Sequence, residues 1–342
     1  MATRTIGVGI VGLGGIGTMH ARALAELRED VSLVAYSGGG PDGVAAAGWP
    51  GAVQVDARQV AEHDGVDVVA ICSPTESHAS LATAALEAGR HVVVEKPLAV
   101  TVTDAEHVAR TAAERRLMVS MVSQRRFEPE HVHLAAALRS GALGQVRLAT
   151  THVHWYRDDD YYRSAPWRTL MAGGGGSLMN QGVHNVDILR WLCGPVESVT
   201  AQYGTLGHDI EAEDTTVATV RFTSGALGLI STSTATPPGD PATISLHLTS
   251  GAVELGQGTV DRWEVGDVPA PAGGRAITSG ASDPLAIGHV GHLNQWRDIV
   301  GALREGRAPA VDAADAVETV RLLCAIYEAA RTGRTVRPAD LE

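Results

Sequence analysis

The sequence predicts two domains of different class: an α/β domain with a doubly wound, mostly parallel sheet, then an α+β domain with a large, mainly antiparallel sheet. Three observations predict this. Through roughly the first third of the chain, short apolar runs without alternation are separated by helical patterns, as parallel strands covered on both faces require. Beyond Ser123 many strand-like runs alternate polar and apolar residues, as in Thr215-Thr216-Val217-Ala218-Thr219-Val220, so one face is solvated or packs on a partner. The length, 342 residues, is enough for two separate cores.

In the first domain, expected over residues 1–122, strands are predicted at 6–11, 31–36, 66–71, 91–95 and 117–121. Helical patterns lie between them at 15–27 and 77–88, with another beginning near Thr103. In the second domain, expected over 123–342, a helix at 128–140 ends at Gly141. Strands follow at 146–155, 196–204, 215–222, 226–234, 242–249 and 252–255. Helices at 288–305 and 313–332 close the chain, the last packing back on the first domain. The Pro/Gly-rich stretch 269–280 is expected to be a surface loop.

Composition narrows the class of function. A hydrophobic content of 44% with 19% charged residues describes an ordinary globular protein. The net charge of −12 is spread along the chain without a basic patch, which argues against a nucleic-acid partner. No long apolar run or cleavable leader pattern is present, so the expectation is a cytoplasmic protein with no membrane partner. Cys72, Cys193 and Cys324 show no C-x-x-C pairing and sit among apolar neighbours, as core residues do. The His152/His154 and His289/His292 pairs lack a third ligand at a metal spacing, so no metal is expected, although His292 is a candidate to reach a cleft.

Gly12-x-Gly14-x-x-Gly17 follows the first strand and opens a helix. Gly12 permits a tight turn, Gly14 lets the backbone approach a pyrophosphate, and Gly17 allows close helix–strand packing. The helix start, with Gly15 and Ile16, offers free N–H groups and a positive dipole end to phosphates. The implied ligand is NAD or NADP. At the end of the second strand an acidic residue would favour NAD and an arginine NADP. The chain instead reads Tyr36-Ser37-Gly38-Gly39-Gly40-Pro41-Asp42. Asp42 curling back, or Ser37 and the glycine amides holding a 2′-phosphate, are the two possibilities, and the preference stays open.

Two more stretches follow strands on the edge where such sheets bind ligands. One is Cys72-Ser73-Pro74-Thr75-Glu76-Ser77-His78, in which Ser77 either caps the next helix or contacts the cofactor. The other is Glu95-Lys96-Pro97, whose proline holds Lys96 extended and is a candidate for a cis bond. A third stretch, Ser177 to Leu189, comes after four glycines, Gly173 to Gly176, that suggest a segment flexible enough for a ligand to approach. On a helix it stacks Asn180, His184 and Asp187 on one face at i, i+4 and i+7. An imidazole suits the proton that a secondary alcohol loses when its hydride moves to nicotinamide. A lysine cation suits the developing alkoxide, and Asn180 can only orient. Arg126, His154, Arg157, Tyr162, Trp167 and Arg168 are further cleft candidates suited to a polyol, Arg168 as a phosphate or substrate clamp.

Together these pieces resemble the glucose–fructose oxidoreductase / inositol dehydrogenase / rhizopine-catabolism (Gfo/Idh/MocA) family. The resemblance rests on Gly12 to Gly17 with His20, Ser73 to His78, Glu95-Lys96-Pro97, Gln124-Arg125-Arg126-Phe127, Tyr162 with Trp167-Arg168, Gly173 to Asp187, and Ala325 to Arg334. These run in family order along nearly the whole chain. The resemblance implies a Rossmann domain and an oxidoreductase acting on a hydroxyl of a sugar, sugar derivative or cyclitol. His184 is then the general acid/base, assisted by Lys96 and Asn180. Cofactor contacts are implied for Gly12, Gly14, Gly15, Ile16, Gly17, Ser37, Gly38, Ser73, Pro74, His78, Glu95, Lys96 and Arg168. Substrate contacts are implied for Arg126, His154, Tyr162, Trp167, Asn180 and His184. Inositol dehydrogenases carry aspartate where this chain has Asn180, which widens the substrate range beyond inositol. The resemblance also implies a homodimer or homotetramer formed through the open face of the second sheet. Two alternative functions are a glycoside hydrolase of the same family, acting by transient oxidation with a retained NAD, and a non-catalytic nucleotide-sensing regulator.

Overall fold

A computed structural model of the chain describes residues 4–271 and 289–341. They form two compact units, residues 4–124 with 289–320, and residues 125–271 with 321–341.

The first unit is built on β1 (Ile6–Val11), α1 (Gly15–Ala25), β2 (Val31–Ser37), α2 (Pro41–Ala46), β3 (Val53–Gln54), α3 (Gln59–Glu62), β4 (Val68–Ile71), α4 (His78–Glu87), β5 (His91–Val94), α5 (Val102–Arg115) and β6 (Val119–Met121). The six strands pair in parallel in the order β3-β2-β1-β4-β5-β6. The chain steps outward from β1 to β3 and returns on the other side at β4. This opens a crevice at the carboxyl ends of β1 and β4, where ligands bind in such sheets. All four residues of β4 are buried. This accounts for a run with no polar position. The short elements α2, β3 and α3 carry too few residues to show a period in the sequence, and they were not expected.

The sequence places the domain boundary at 122/123 and all later residues in the second domain. The structure divides the chain after Gln124 and returns 289–320 to the first unit. The helix Val290–Glu305, which is α9 in chain order, explains the difference. Its Leu293, Trp296, Ile299 and Val300 join Leu24, Leu27 and Val8 in one apolar core. Gln295 fastens it further: its Nε2 donates to Met121 O at 2.8 Å and its Oε1 accepts the Ser123 N–H at 2.9 Å. Periodicity reveals that a helix has an apolar face but not which core that face fills.

The second unit contains α6 (Pro129–Arg139), β7 (Val146–His154), α7 (Asp159–Arg163), α8 (Val183–Cys193), β8 (Val196–Gly204), β9 (Thr215–Phe222), β10 (Leu227–Ser233), β11 (Thr243–Leu248), β12 (Gly251–Leu255) and β13 (Val260–Val265). Helix α9 (Val290–Glu305) follows, and α10 (Ala313–Thr332) begins among residues of the first unit and ends among those of the second. The seven strands are ordered β13-β12-β11-β7-β10-β9-β8, parallel only between β7 and β10. Strand β13 was not expected. One face of the sheet is covered by α8 and the second half of α10, which bury Val186, Ile188, Leu189, Leu323 and Ile326 with Phe222, Ile230 and Leu246. The other face leaves Leu148, Val217, Leu227 and Leu229 exposed at 40–48%. The loop expected at 269–280 lies, from residue 272 on, outside the described residues. Among the described residues no helix is long and apolar enough to cross a membrane.

Candidate functional site

The turn from β1 into α1 is shaped by three glycines with different constraints. Gly12 has φ +94°, and a Cβ there would lie 2.7 Å from Cys72 O. At Gly17 a Cβ would stand 2.2 Å from Gly12 O, so the helix closes on the strand only without a side chain. Gly14 meets nothing within 4 Å and leaves its backbone open to an incoming group. The turn is held by Ser37 O, which accepts the N–H groups of Gly12 and Leu13 at 3.1 and 2.8 Å. Beside it lies a cavity of about 720 Å³ lined by Gly12, Ser37, Gly38, Arg58, Ser73 and Ser77, among others. Asp42 sits exposed in the first turn of α2 and is not among the lining residues. The Ser77 side chain makes no cap bond; it donates to Pro74 O at 2.7 Å and lies 2.6 Å from Ser73 Oγ, tightening the loop. Open backbone at Gly14, a helix start and a roomy crevice fit a dinucleotide.

Behind this crevice the Glu95-Lys96-Pro97 turn carries the cis bond between Lys96 and Pro97, with Lys96 half-buried. Glu95 was expected to contact the cofactor. It is instead 6% exposed and supports the turn from below. Its Oε1 accepts from His20 Nε2 at 3.0 Å and its Oε2 accepts the Lys96 N–H at 3.2 Å. The Trp296 indole N–H donates to His20 Nδ1 at 2.9 Å, so the His20 proton sits on Nε2, facing Glu95. This tautomer leaves no lone pair on Nε2 for a metal, although His20, Glu95 and His292 lie close enough to share one. Burial acts to raise the Glu95 carboxyl, but the His20 hydrogen bond and the neighbouring His292 ring, 3.7 Å away, outweigh it and hold the group well below the usual range. His292, a candidate for the cleft, is 1% exposed and packs against His20 in this core.

His78 is also a support and not a surface contact. It is 1% exposed, with Nδ1 2.7 Å from Pro97 O and Nε2 3.0 Å from Ser73 O. Carbonyl oxygens only accept, so satisfying both contacts requires both ring protons. Burial pulls its pKa down while the two carbonyls work in the opposite direction. Burial prevails and holds the group below its ordinary value, so the neutral ring donates to one of the two carbonyls and packs between the Ser73 and Pro97 loops.

In the second unit, residues Ser177–Gly182 wind as a π-helix before α8 begins at Val183. The α-helical i, i+4, i+7 stack expected for Asn180, His184 and Asp187 therefore does not form, because the wider turn shifts the facing. Asn180 is 7% exposed, and its Nδ2 donates to the Tyr161 hydroxyl at 3.0 Å; Gln181 Nε2 donates to the same oxygen at 2.7 Å. His184 is half-buried, its ring centroid 6.4 Å from that of Trp155. Asp187 turns away into a buried bidentate pair, accepting from Arg126 Nε at 2.7 Å and Nη2 at 2.5 Å. Arg126, expected at the substrate, is only 4% exposed and occupied there. The reason is its partner in α8, 61 residues along the chain, which a linear reading cannot register.

Other expectations change in the same way. The glycine run is packed and not loose: Gly173 to Gly176 are buried, and a Cβ at Gly175 would stand 2.2 Å from Arg168 O. Tyr162 is 4% exposed, its hydroxyl 2.7 Å from Thr234 Oγ1. His154 alternates onto the sheet face opposite α8, beside His152, and bonds Ser231 at 2.9 Å. Asn185 of α8 reaches the other face at Thr151, which fixes that assignment. Arg157 is 2% exposed, its guanidinium over the rings of Trp155 and Tyr161. Arg168 lies 4.1 Å over the Tyr161 ring and donates to Tyr161 O and Ser164 Oγ, with Trp167 half-buried next to it. Tyr161 and Trp155, which lie against Asn180 and His184, are not singled out by the sequence pattern. A Tyr161-Tyr162 pair after three aspartates was the available signal for the first.

This fold and glycine turn define an NAD(P)-binding oxidoreductase. The oxidoreductase family with an NAD-binding Rossmann fold matches residues 6–123, and the GFO/IDH/MocA C-terminal domain matches residues 131–254. A crystal structure of the WlbA dehydrogenase from Bordetella pertussis, in complex with NADH and UDP-GlcNAcA, superposes with a TM-score of 0.86 and 30% identity, covering 98% of this chain and 99% of that one. Myo-inositol 2-dehydrogenase of Thermotoga maritima is 29% identical over 66% of this chain and 68% of its own length. The scyllo-inositol 2-dehydrogenase (NADP(+)) of Bacillus subtilis is 23% identical over 97% of this chain and 96% of its own. The chain belongs to the Gfo/Idh/MocA family and is an NAD(P)-dependent dehydrogenase or reductase of CH–OH groups.

Proposed function

We propose that this enzyme moves a hydride between nicotinamide and a secondary hydroxyl or ketone of a sugar, sugar derivative or cyclitol. The observation that carries the reading is the β1–α1 turn: Gly14 lies open, and the crevice beside it holds Ser37, Gly38 and Ser73. When bound, the cofactor supplies the hydride acceptor or donor. Gly12, Gly15, Ile16, Gly17, Ser37, Gly38, Ser73 and Pro74 hold the dinucleotide. Lys96, steadied by the Glu95 carboxylate and the His78 bridge, stabilises negative charge on the reacting oxygen. His184 takes the proton on oxidation and returns it on reduction, and Asn180, tied to Tyr161, orients a hydroxyl. The substrate range includes cyclitols and nucleotide-linked sugars, a reading supported by the similarity to a myo-inositol 2-dehydrogenase and to a dehydrogenase crystallised with UDP-GlcNAcA.

The test is a panel of myo-inositol, scyllo-inositol and UDP-GlcNAcA with both NAD and NADP, following absorbance of the reduced cofactor. Lys96→Ala and His184→Ala should each lower kcat by about 100-fold or more. Full activity in both variants would refute the residue assignment. Turnover without net cofactor reduction would point to hydrolysis through a retained NAD. The homodimer or homotetramer is proposed to use the sheet face bearing Leu148, Val217, Leu227 and Leu229, and Leu229→Arg should reduce the mass seen by light scattering.

A further inference from the structure

We propose that Glu213 and Tyr327 are positioning residues: together they set the π-helical turn that carries Asn180 and, two residues past its end, His184. The inference rests on the assignment of His184 as proton carrier. A helix begins with N–H groups that have no partner within it. Here the first three are each met by this pair. The Ser177 N–H donates to Glu213 O at 2.9 Å. The Leu178 N–H donates to Glu213 Oε1 at 2.8 Å. The Met179 N–H donates to the Tyr327 hydroxyl at 3.2 Å.

The two partners also hold each other. The Tyr327 O–H donates to Glu213 Oε1 at 2.9 Å, and the Ser177 hydroxyl donates to Oε2 at 2.6 Å. Burial pushes the Tyr327 phenol well above its usual range, so it keeps its proton and remains a donor. Glu213 is 1% exposed and Ser177 is fully buried. Gly176 permits the approach: it has φ +89°, and a Cβ there would lie 2.5 Å from Glu213 Oε1. At the other end of the turn Tyr161 takes the side-chain amides of Asn180 and Gln181. A π-turn inserted before an α-helix rotates everything after it, so the anchor at its start decides where Asn180 and His184 point. Errors of about 1 Å in such placement cost on the order of 100-fold in rate.

The experiment uses the full chain and the panel substrate with the highest turnover. Tyr327→Phe removes the acceptor for the Met179 N–H and should lower kcat about 10-fold, with cofactor Kd by fluorescence titration unchanged. Glu213→Ala leaves Leu178 N–H and Tyr327 O–H without an acceptor and should lower kcat about 100-fold. Glu213→Gln restores it to within about 3-fold, because its amide oxygen serves Leu178 and Tyr327 while its NH2 donates to Ser177 Oγ. Independently of any substrate, amide hydrogen exchange across 177–184 should accelerate in Tyr327→Phe and Glu213→Ala. Should Glu213→Ala fail to fold, Tyr327→Phe decides alone. Wild-type kcat and exchange in a folded variant overturn the inference, as does a kcat loss matched by an equal loss of cofactor affinity. A His184→Ala enzyme that is inactive beside a Tyr327→Phe enzyme of wild-type kcat refutes the positioning role and spares His184. An active His184→Ala enzyme refutes both.

Discussion

Replacing Asp187 by asparagine removes one partner of the buried Arg126–Asp187 pair while keeping its shape. Arg126 and Asp187 are 4% and 2% exposed, and the guanidinium meets the carboxylate through two contacts. Arg126 also lies 5.5 Å over the Trp191 ring, and Arg190 approaches Asp187 only to 4.0 Å. Neither contact substitutes for the carboxylate. Breaking such a pair from one side costs about 3–5 kcal/mol, because the remaining charge stays buried and uncompensated. For a unit of this size each kcal/mol moves Tm by about 2–4 °C, so a drop of roughly 6–20 °C is expected. Thermal and urea unfolding measure it. The double variant Arg126→Met with Asp187→Leu should recover most of the loss, since apolar residues of similar volume often replace a buried pair at little cost. If Asp187→Asn left stability unchanged while Arg126→Met raised substrate KM, Arg126 would be a substrate contact and the structural reading would be wrong.

Further outcomes follow from the first unit. Ser37→Asp places a carboxylate at the end of β2 and should weaken NADP against NAD by about 10–100-fold, read as a ratio of kcat/KM; an unchanged ratio would remove Ser37 from the ribose region. Gly17→Ala should destabilise by about 1–3 kcal/mol because its Cβ would collide with Gly12 O, whereas Gly14→Ala should keep Tm and raise the cofactor Kd. Glu95 has a folded pKa below its unfolded value, so it contributes stability above the ordinary glutamate range that is lost as pH falls through the folded pKa. Glu95→Gln should therefore be less stable than wild type at neutral pH, with the gap narrowing in acid; a gap independent of pH would contradict the depressed carboxyl.

The sequence by itself determined the class of each sheet, because burial on two faces or one writes itself into the chain as continuous or alternating apolar residues. It also determined the dinucleotide turn, since Gly12, Gly14 and Gly17 answer local constraints within six residues of chain. What only the tertiary structure decided is which polar residues are left for chemistry. Arg126 and Glu95 look like ligands in a linear reading, and each is consumed by a partner more than 60 residues away, Asp187 and His20. The same holds for α9, whose apolar stripe is legible while its place beside Leu24 is not. The π-turn at Ser177 depends on Glu213 and Tyr327, which approach from 35 and 148 residues downstream in hydrogen bonds to Leu178 and Met179. Local pattern reports what a segment buries; only the fold reports against which partner, and that partner determines whether a charged side chain acts or supports.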